Sequence, residues 1–596
     1  MGIIMKNKSF GSIISISGIE IIISIEEDIY KNKLEQKATI NNEVKKLYVG
    51  TVGDIFLIGD PELKDTVHYG IFEEVKLVTD VNDVNNSKAV IVAKVIGYQD
   101  KTSEKLCFRR GIGHYPKFNS NCYLLSSQEK SELFHIDSDN GTEIGTASGV
   151  NSEKVAIDTN KFLNKHSVIF GSTGSGKSCT VASIIQKILK QCFYSHIVFF
   201  DLHNEYSSAF ISKDLEYRVN KVSGNDFRLP YWLLNFEEFV YIFLGDSNES
   251  HNSDGIRILK ETILELKREE HQLIEKEVGK IDKININAPL KYSIEKLIEK
   301  LKDKNQATIW ASDNTEARDS KGNFIRPQGN KNVERTDKPG ENDKVNKLDS
   351  YYGKCTQIIQ RIESIKEDRR YKFLFGNEFD KSTTLYTYLE ELLCVKIKEE
   401  QKQMSILDLS TLPSEIIPVI VGVLSRVCLE YKVWDNKISK LPLYLIFEEC
   451  QNYIPKEKNS LTKFSINSIS KISKEGRKYG ISELLISQRP SDLYDSIISQ
   501  CSNFFVLRLT NPSDQNFVKN VMPDHLSSLT NMIPFFENGE CLVVGECVRI
   551  PSKVLIDEPN PKPNSNDINF RERWNEEIHD YSVKNVVNRW WEIIDE

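Results

Sequence analysis

GSTGSGKS, Gly171 to Ser178, follows the short apolar run His166–Phe170. It opens a stretch, Ser178–Lys190, in which Val181, Ile184, Ile185, Ile188 and Leu189 recur at helical spacing. The segment fits G-x-x-x-x-G-K-[ST] at every fixed position. Gly171, Gly174 and Gly176 let the backbone wrap a phosphate without Cβ clashes. Ser172, Thr173, Ser175 and Cys179 complete a cradle whose N–H groups and helix N-terminus favour negative charge. Lys177 supplies a point charge to the β- and γ-phosphates, and the Ser178 hydroxyl is placed to ligate magnesium. The sequence thus predicts an ATP–Mg²⁺ site between a strand and a helix.

Hydrolysis needs acids at a neighbouring strand end. LPLYLIFEEC (441–450) runs through an apolar strand, Leu443–Phe447, into Glu448 and Glu449. Successive side chains of a strand point to opposite sides. Glu448 is therefore assigned to the magnesium water shell and Glu449 to positioning or deprotonating the attacking water. FFDLHNEY (199–206) places Asp201, His203 and Glu205 after a second strand, and LLISQRP (484–490) places Gln488 and Arg489 after a third. Gln488 is expected to contact the γ-phosphate or the water, while His203 reads equally well as a structural histidine. In open α/β sheets such groups gather outside the carboxyl ends of the strands.

Outward from this site the pattern divides. Residues 1–135 hold short β-branched runs (Ile13–Ile16, Ile19–Ile25, Ala38–Ile40, Asp54–Ile58, Ala89–Ile96, Asn121–Leu125) punctuated by glycine, which predicts a small barrel or sandwich. Residues 136–205 and 403–557 alternate strand and helix, the pattern of a parallel sheet covered on both faces. The intervening 206–402 reads as a helical insertion, with a mobile loop near 311–350 where large apolar residues are scarce. A Pro-rich linker begins at 558, and Val583, Val586, Val587, Trp590, Trp591 and Ile594 predict a final amphipathic helix.

Composition narrows the class. The 596 residues are 39% hydrophobic and 28% charged, which excludes a disordered or fibrous chain. The net charge of −8 excludes a uniformly basic coat for nucleic acid but not a local basic stripe. Eleven cysteines without Cys-x-x-Cys spacing disfavour a zinc site and a disulfide framework, and fit a reducing cytoplasm. The longest clean apolar run, Ile416–Leu424, is too short to span a bilayer.

Several segments in order resemble the HerA family of the HerA–FtsK P-loop ATPases: HSVIFGSTGSGKSCTVA (166–182), DLHNEY (201–206), LPYWLLNFEE (229–238), FEECQNYIP (447–455), EGRKYG (475–480), ISQRPSDL (486–493), SQCSNFFVLRLTNPSDQNFV (499–518) and GECLVVGECVRIPSKV (539–554). FRRGIGHYP (108–116) is similar to part of the small HAS-type barrel that precedes the motor in that family. Cys450-Gln451 departs from the usual Ala-His, and Leu202 and Asn204 from the usual Pro and Gly.

The resemblance implies an α/β, RecA-like core with an N-terminal barrel and a helical insertion. It also implies a homo-hexameric ring, ATP between protomers and double-stranded DNA in the pore. Arg477 is then the first choice for an arginine reaching a neighbour's γ-phosphate, with Arg489 and Arg508 in reserve. The expected function is an ATP-driven DNA translocase working with a separate effector, a Sir2-like NADase or a nuclease docked on the barrel, in anti-phage defence. The alternatives are an ATP-regulated scaffold that activates the effector, and an end-resection helicase in repair.

Overall fold

The computed structural model describes residues 9–25, 55–59, 66–80, 83–99, 108–111, 113–136, 139–147, 153–211, 217–223, 226–245, 253–278, 281, 283–375, 384–395, 401–435, 441–522, 527–564, 569–576 and 582–590. The predicted strand at 38–40, Asp54 at the head of another, and Trp591 and Ile594 of the last helix lie outside them.

The N-terminal strands are β1 (Gly11–Ser17), β2 (Glu20–Ile25), β3 (Ile55–Ile58), β4 (Val67–Asp80), β5 (Asp83–Gln99), β6 (Phe108–Arg110) and β7 (Asn121–Leu124). They pair in the order β2-β1-β7-β3-β4-β5, and β2 pairs again with β5, so six strands close a barrel with β6 on its flank. Closure removes both sheet edges. Phe10, Ile13, Ile23, Phe56, Phe72 and Ile91 fill the interior. Ile55, Leu57, Tyr69 and Ile71 face the other way and join the hydrophobic core of the following domain.

That domain is built on β8 (Gly141–Ala147), β9 (Lys154–Asp158), β10 (Ser167–Phe170), helix α1 (Lys177–Gln191), β11 (Ile197–Asp201) and β12 (Val219–Val222). The insertion adds helices α2 (Phe236–Leu244), α3 (Ser253–Val278) and α4 (Ile294–Lys304), strands β13 (Thr308–Trp310), β14 (Asn332–Glu334) and β15 (Asn342–Lys347), and helix α5 (Thr356–Glu367). The core resumes with β16 (Met404–Asp408), α6 (Ile417–Trp434), β17 (Leu443–Phe447), α7 (Lys463–Glu475), β18 (Ile481–Ser487), β19 (Asn503–Val506), α8 (Pro512–Val521), β20 (Glu540–Gly545) and β21 (Ser552–Ile556).

The eleven-stranded sheet has the order β12-β16-β11-β17-β18-β10-β19-β20-β21-β8-β9. From β12 to β19 the pairs are parallel, and the rest are antiparallel. Burial on both faces explains why the parallel strands read as unbroken apolar runs. Val168, Phe170, Val198, Phe200, Leu445 and Phe447 pack on the side of α6 and α7. Ile169, Phe199, Ile446 and Ile486 pack against Val181, Ile184, Ile185 and Ile188 of α1 on the other.

Two sequence expectations change. The 311–350 segment is not a loop: β13, β15 and β14 form a small antiparallel sheet around Trp310, Ala317, Val345 and the buried guanidinium of Arg335. Apolar periodicity cannot see a core centred on a charge. The 206–402 stretch is not wholly outside the α/β domain, because β12 pairs with β16 as the sheet's edge strand. The predicted final helix is present over Val583–Trp590, and among the described residues a short helix, Phe570–Asn575, precedes it. Among the described residues no helix is long and apolar enough to cross a membrane.

Candidate active site

β10 lies between β18 and β19, so the loop after Phe170 emerges in the middle of the parallel sheet, at its carboxyl edge. Gly171 N–H donates to Ser487 O at the end of β18 (3.3 Å), and Ser172 N–H to Arg508 O beyond β19 (3.0 Å). The loop then turns through Gly174 at φ +72° and Gly176 at φ +93°, left-handed values that a side chain would strain. A Cβ on Gly176 would also stand 2.8 Å from Asn538 Oδ1. α1 starts at the next residue, Lys177.

Three sequence-predicted groups meet over this turn. Lys177, 8% exposed, forms an ion pair with Glu449 Oε1. Gln488 Nε2 donates to Glu449 Oε2 at 3.1 Å, and Thr173 Oγ1 donates to Gln488 Oε1 at 2.7 Å. Glu449 reaches this position because its backbone is left-handed (φ +45°). That conformation costs a non-glycine residue about 1–2 kcal/mol, and here it turns Glu449 away from Glu448. Gln451, one of the family departures, donates to Glu449 Oε2 and accepts from Ser487 Oγ.

Glu448 points toward β11. Its Oε2 accepts from Leu202 N–H at 3.0 Å. Burial, then the adjacent Asp201 and Glu205, push its carboxyl well above the ordinary range. Burial also raises Asp201, which accepts from the N–H groups of Glu205 (3.2 Å) and Tyr206 (3.1 Å). Ser178 Oγ donates to Glu205 Oε2 at 3.0 Å. The donors are hard oxygens, the set magnesium takes. Among the described residues no group of three or more His, Cys, Asp or Glu could hold a metal. A magnesium ion at Ser178 would therefore be completed by phosphate oxygens and water, its usual coordination in nucleotide sites. Ser175 Oγ, buried and without a hydrogen-bond partner, marks the cradle as polar inside.

A family profile described as "Helicase HerA, central domain" matches residues 142–428. The DNA double-strand break repair helicase HerA of Sulfolobus acidocaldarius is 26% identical over 473 residues, covering 78% of this chain and 79% of that protein. Its namesake from Sulfurisphaera tokodaii is 27% identical, covering 77% and 78%. The chain is thus similar to HerA helicases over most of its length. Solved structures that align with it include VirB4 of Thermoanaerobacter pseudethanolicus (13% identity, TM-score 0.42, 71% of this chain and 98% of that one). The bacterial conjugative coupling protein TrwB aligns at 11% identity and TM-score 0.42, over 74% and 95%.

Not every predicted residue of the chain comes to the cradle. Arg477 is exposed in the 3₁₀ turn Gly476–Tyr479 before β18, at the amino edge of the sheet, opposite the glycine loop. Arg489 is exposed, 3.7 Å from Asp492. Arg508 is occupied within its own chain: it donates to Gly174 O (3.2 Å) and Phe536 O (3.3 Å), bracing the loop. That removes it as a reserve for the reaching arginine. His203 is exposed. Glu205 carries no assigned role in the sequence and Gly539 only opens a family-like segment, yet Gly539 N–H donates to Ser175 O at 3.0 Å. The DLHNEY motif could have found Glu205; no local signal marks Asn538.

Proposed function

We propose that this chain is an ATP-hydrolysing ring motor that translocates on double-stranded DNA together with a separate effector enzyme. The observation that carries this is the convergence of Thr173, Lys177, Glu449 and Gln488 at one carboxyl edge. In the proposed cycle Lys177 neutralises the β- and γ-phosphates, and Ser178 and Glu448 hold magnesium directly or through water. Magnesium supplies charge stabilisation at the phosphates when bound. Glu449 orients and deprotonates water, and Gln488 reports the γ-phosphate to β18 and the loop through Thr173.

A homo-hexamer is supported by the separation of Arg477 from its own loop. A head-to-tail contact brings one protomer's amino edge to the next protomer's carboxyl edge and closes into a ring. Effector docking on the barrel is supported by the exposed large apolar residues Ile14 (49% exposed), Tyr115 (60%) and Phe118 (65%), the last next to Asn119, whose N–H donates to the Ile13 carbonyl beside Ile14. No described cysteine is in a disulfide, in keeping with the proposed reducing cytoplasm. The names of the relatives favour DNA-end repair as the setting; anti-phage defence with a Sir2-like or nuclease effector is the other. The test is ATP turnover by the full chain with and without duplex DNA. Stimulation by DNA, together with displacement of a triplex-forming strand, is expected. Turnover indifferent to DNA would favour the scaffold reading.

A further inference from the structure

The polar tail of the motor does not hang free after β21. Asp557–Asn564 forms a strap across α1 and the loop after β11. Lys187 Nζ pairs with Asp557 Oδ2 at 2.5 Å. Gln186, on α1, accepts from Asn560 N–H (3.0 Å) and donates to Pro561 O (2.8 Å) and Ala209 O (2.9 Å). Ser208 Oγ donates to Lys562 O at 3.1 Å. Asn564 N–H donates to the carbonyl of Glu205 at 2.7 Å. Pro559 and Pro563 are buried between these bonds.

Glu205 is therefore fixed from two sides. Asp201 holds its N–H and the strap holds its carbonyl. Its side chain in turn accepts the Ser178 hydroxyl proton at 3.0 Å. A hydroxyl carries one proton and two lone pairs. Donating that proton to a carboxylate turns a lone pair outward and makes the oxygen a better metal donor. Partners of this kind, one step behind the ligand, are typically worth 10–100-fold in metal affinity.

We infer that Glu205 is the positioning residue for Ser178 as a magnesium ligand, and that the Asp557–Asn564 strap sets its place. The inference rests on the ATP–magnesium reading of the glycine loop. It makes the segment after β21 a part of the nucleotide site, so that a pull on the tail reaches Ser178 through Glu205.

The test is nucleotide binding by the full chain, followed with a fluorescent ATP analogue, in a magnesium titration and separately in EDTA. Glu205→Ala is expected to raise the magnesium needed for half-saturation about 10–100-fold and to leave binding in EDTA unchanged. Glu205→Gln keeps the shape and a weaker acceptor, and should shift the midpoint less. Asn564→Pro removes the N–H and should shift it in the same direction as Glu205→Ala. Asn564→Ala, which keeps the N–H, is its reference. An unmoved magnesium midpoint in both Glu205 variants, or equal weakening with magnesium and in EDTA, overturns the role of Glu205. Equal midpoints for Asn564→Pro and Asn564→Ala overturn the strap. Absence of nucleotide binding by the unmodified chain would instead remove the reading of the loop on which both depend.

Discussion

Lys177 and Glu449 form a direct ion pair buried under the glycine loop. Under the proposed mechanism the two have separable effects. Lys177→Ala should abolish ATP binding. Glu449→Gln should bind ATP and retain it, with turnover reduced about 10²–10⁴-fold; unchanged turnover in that variant would place the base elsewhere. A second buried pair lies at the other end of the sheet. His166 Nδ1 stands 3.6 Å from Glu483 Oε1, and Ser473 Oγ donates to the same oxygen at 2.5 Å. Burial pushes the imidazole down to about 4 and the carboxyl up to about 8. At neutral pH the two therefore meet uncharged. Between pH 6.5 and 8 the folded Glu483 keeps a proton that the unfolded chain has lost, so stability falls as pH rises, by on the order of 2 kcal/mol. Between pH 4.5 and 6.5 His166 works the other way, because the unfolded chain takes up a proton there that the folded one refuses, and the two contributions offset one another. Glu483→Gln should flatten the decline from pH 6.5 to 8 in thermal unfolding; a slope equal to that of the unmodified chain would contradict it.

At the scale of elements, α6 organises one face of the motor. Gly422 lets it touch the start of α7: a Cβ there would stand 2.7 Å from Ser465 N and 2.8 Å from the Phe464 carbonyl carbon, backbone atoms that cannot swing aside. Arg426, one turn later, reaches α2. Its Nε and Nη2 meet the two oxygens of Glu238 at 2.8 Å each, and Nη2 also donates to Leu233 O at 2.7 Å. Glu238 is 1% exposed and closes the capping box of α2 with Asn235. Arg426→Met would leave that carboxylate buried without its cation and should cost about 3–5 kcal/mol. Restoring much of that loss in the double variant Arg426→Met, Glu238→Gln, measured by denaturant unfolding, would show that the unpaired charge is the cause. The apolar positions of α3 and α5 were legible from helical spacing, and Leu259, Ile263, Leu266, Ile358 and Ile362 are buried accordingly. The β13–β15 sheet was not. Its Arg335 sits over Trp310 at 5.0 Å and contacts Asp313 at 2.9 Å and Asp343 at 3.5 Å, a polar arrangement that has no period.

Across the whole molecule, the glycine loop occupies the carboxyl edge of the sheet and Arg477 the amino edge, so one chain cannot bring the two together. If Arg477 acts in a neighbour's site, Arg477→Ala rings should lose turnover. Mixing them with Lys177→Ala rings, which have intact arginines but dead loops, should restore part of it. Restoration scored across mixing ratios checks the role, and no restoration at any ratio would refute it. The motor's contact with DNA is expected to be electrostatic, so DNA-stimulated turnover should fall steeply between 50 and 200 mM salt, by about 10³-fold or more in apparent affinity if six or more phosphates are contacted. A flat salt response would argue against a phosphate-tracking pore.

The sequence by itself determined the cradle, the strand behind it, the helix after it and the acidic strand end. Each depends on interactions within a few residues: glycine's freedom at Gly174 and Gly176, a buried run in β10, a helical period in α1. Only the tertiary structure decided what faces the cradle. Lys177 and Glu449 are 272 positions apart, and Thr173 and Gln488 are 315 apart. They meet because the order β17-β18-β10-β19 sets their strand ends side by side. Ser178 met Glu205, Arg508 bent back onto Gly174, and the tail crossed to Glu205 for the same reason. Steric rules fix a backbone turn locally, whereas sheet register, and the burial it achieves, chooses which distant side chains share a site.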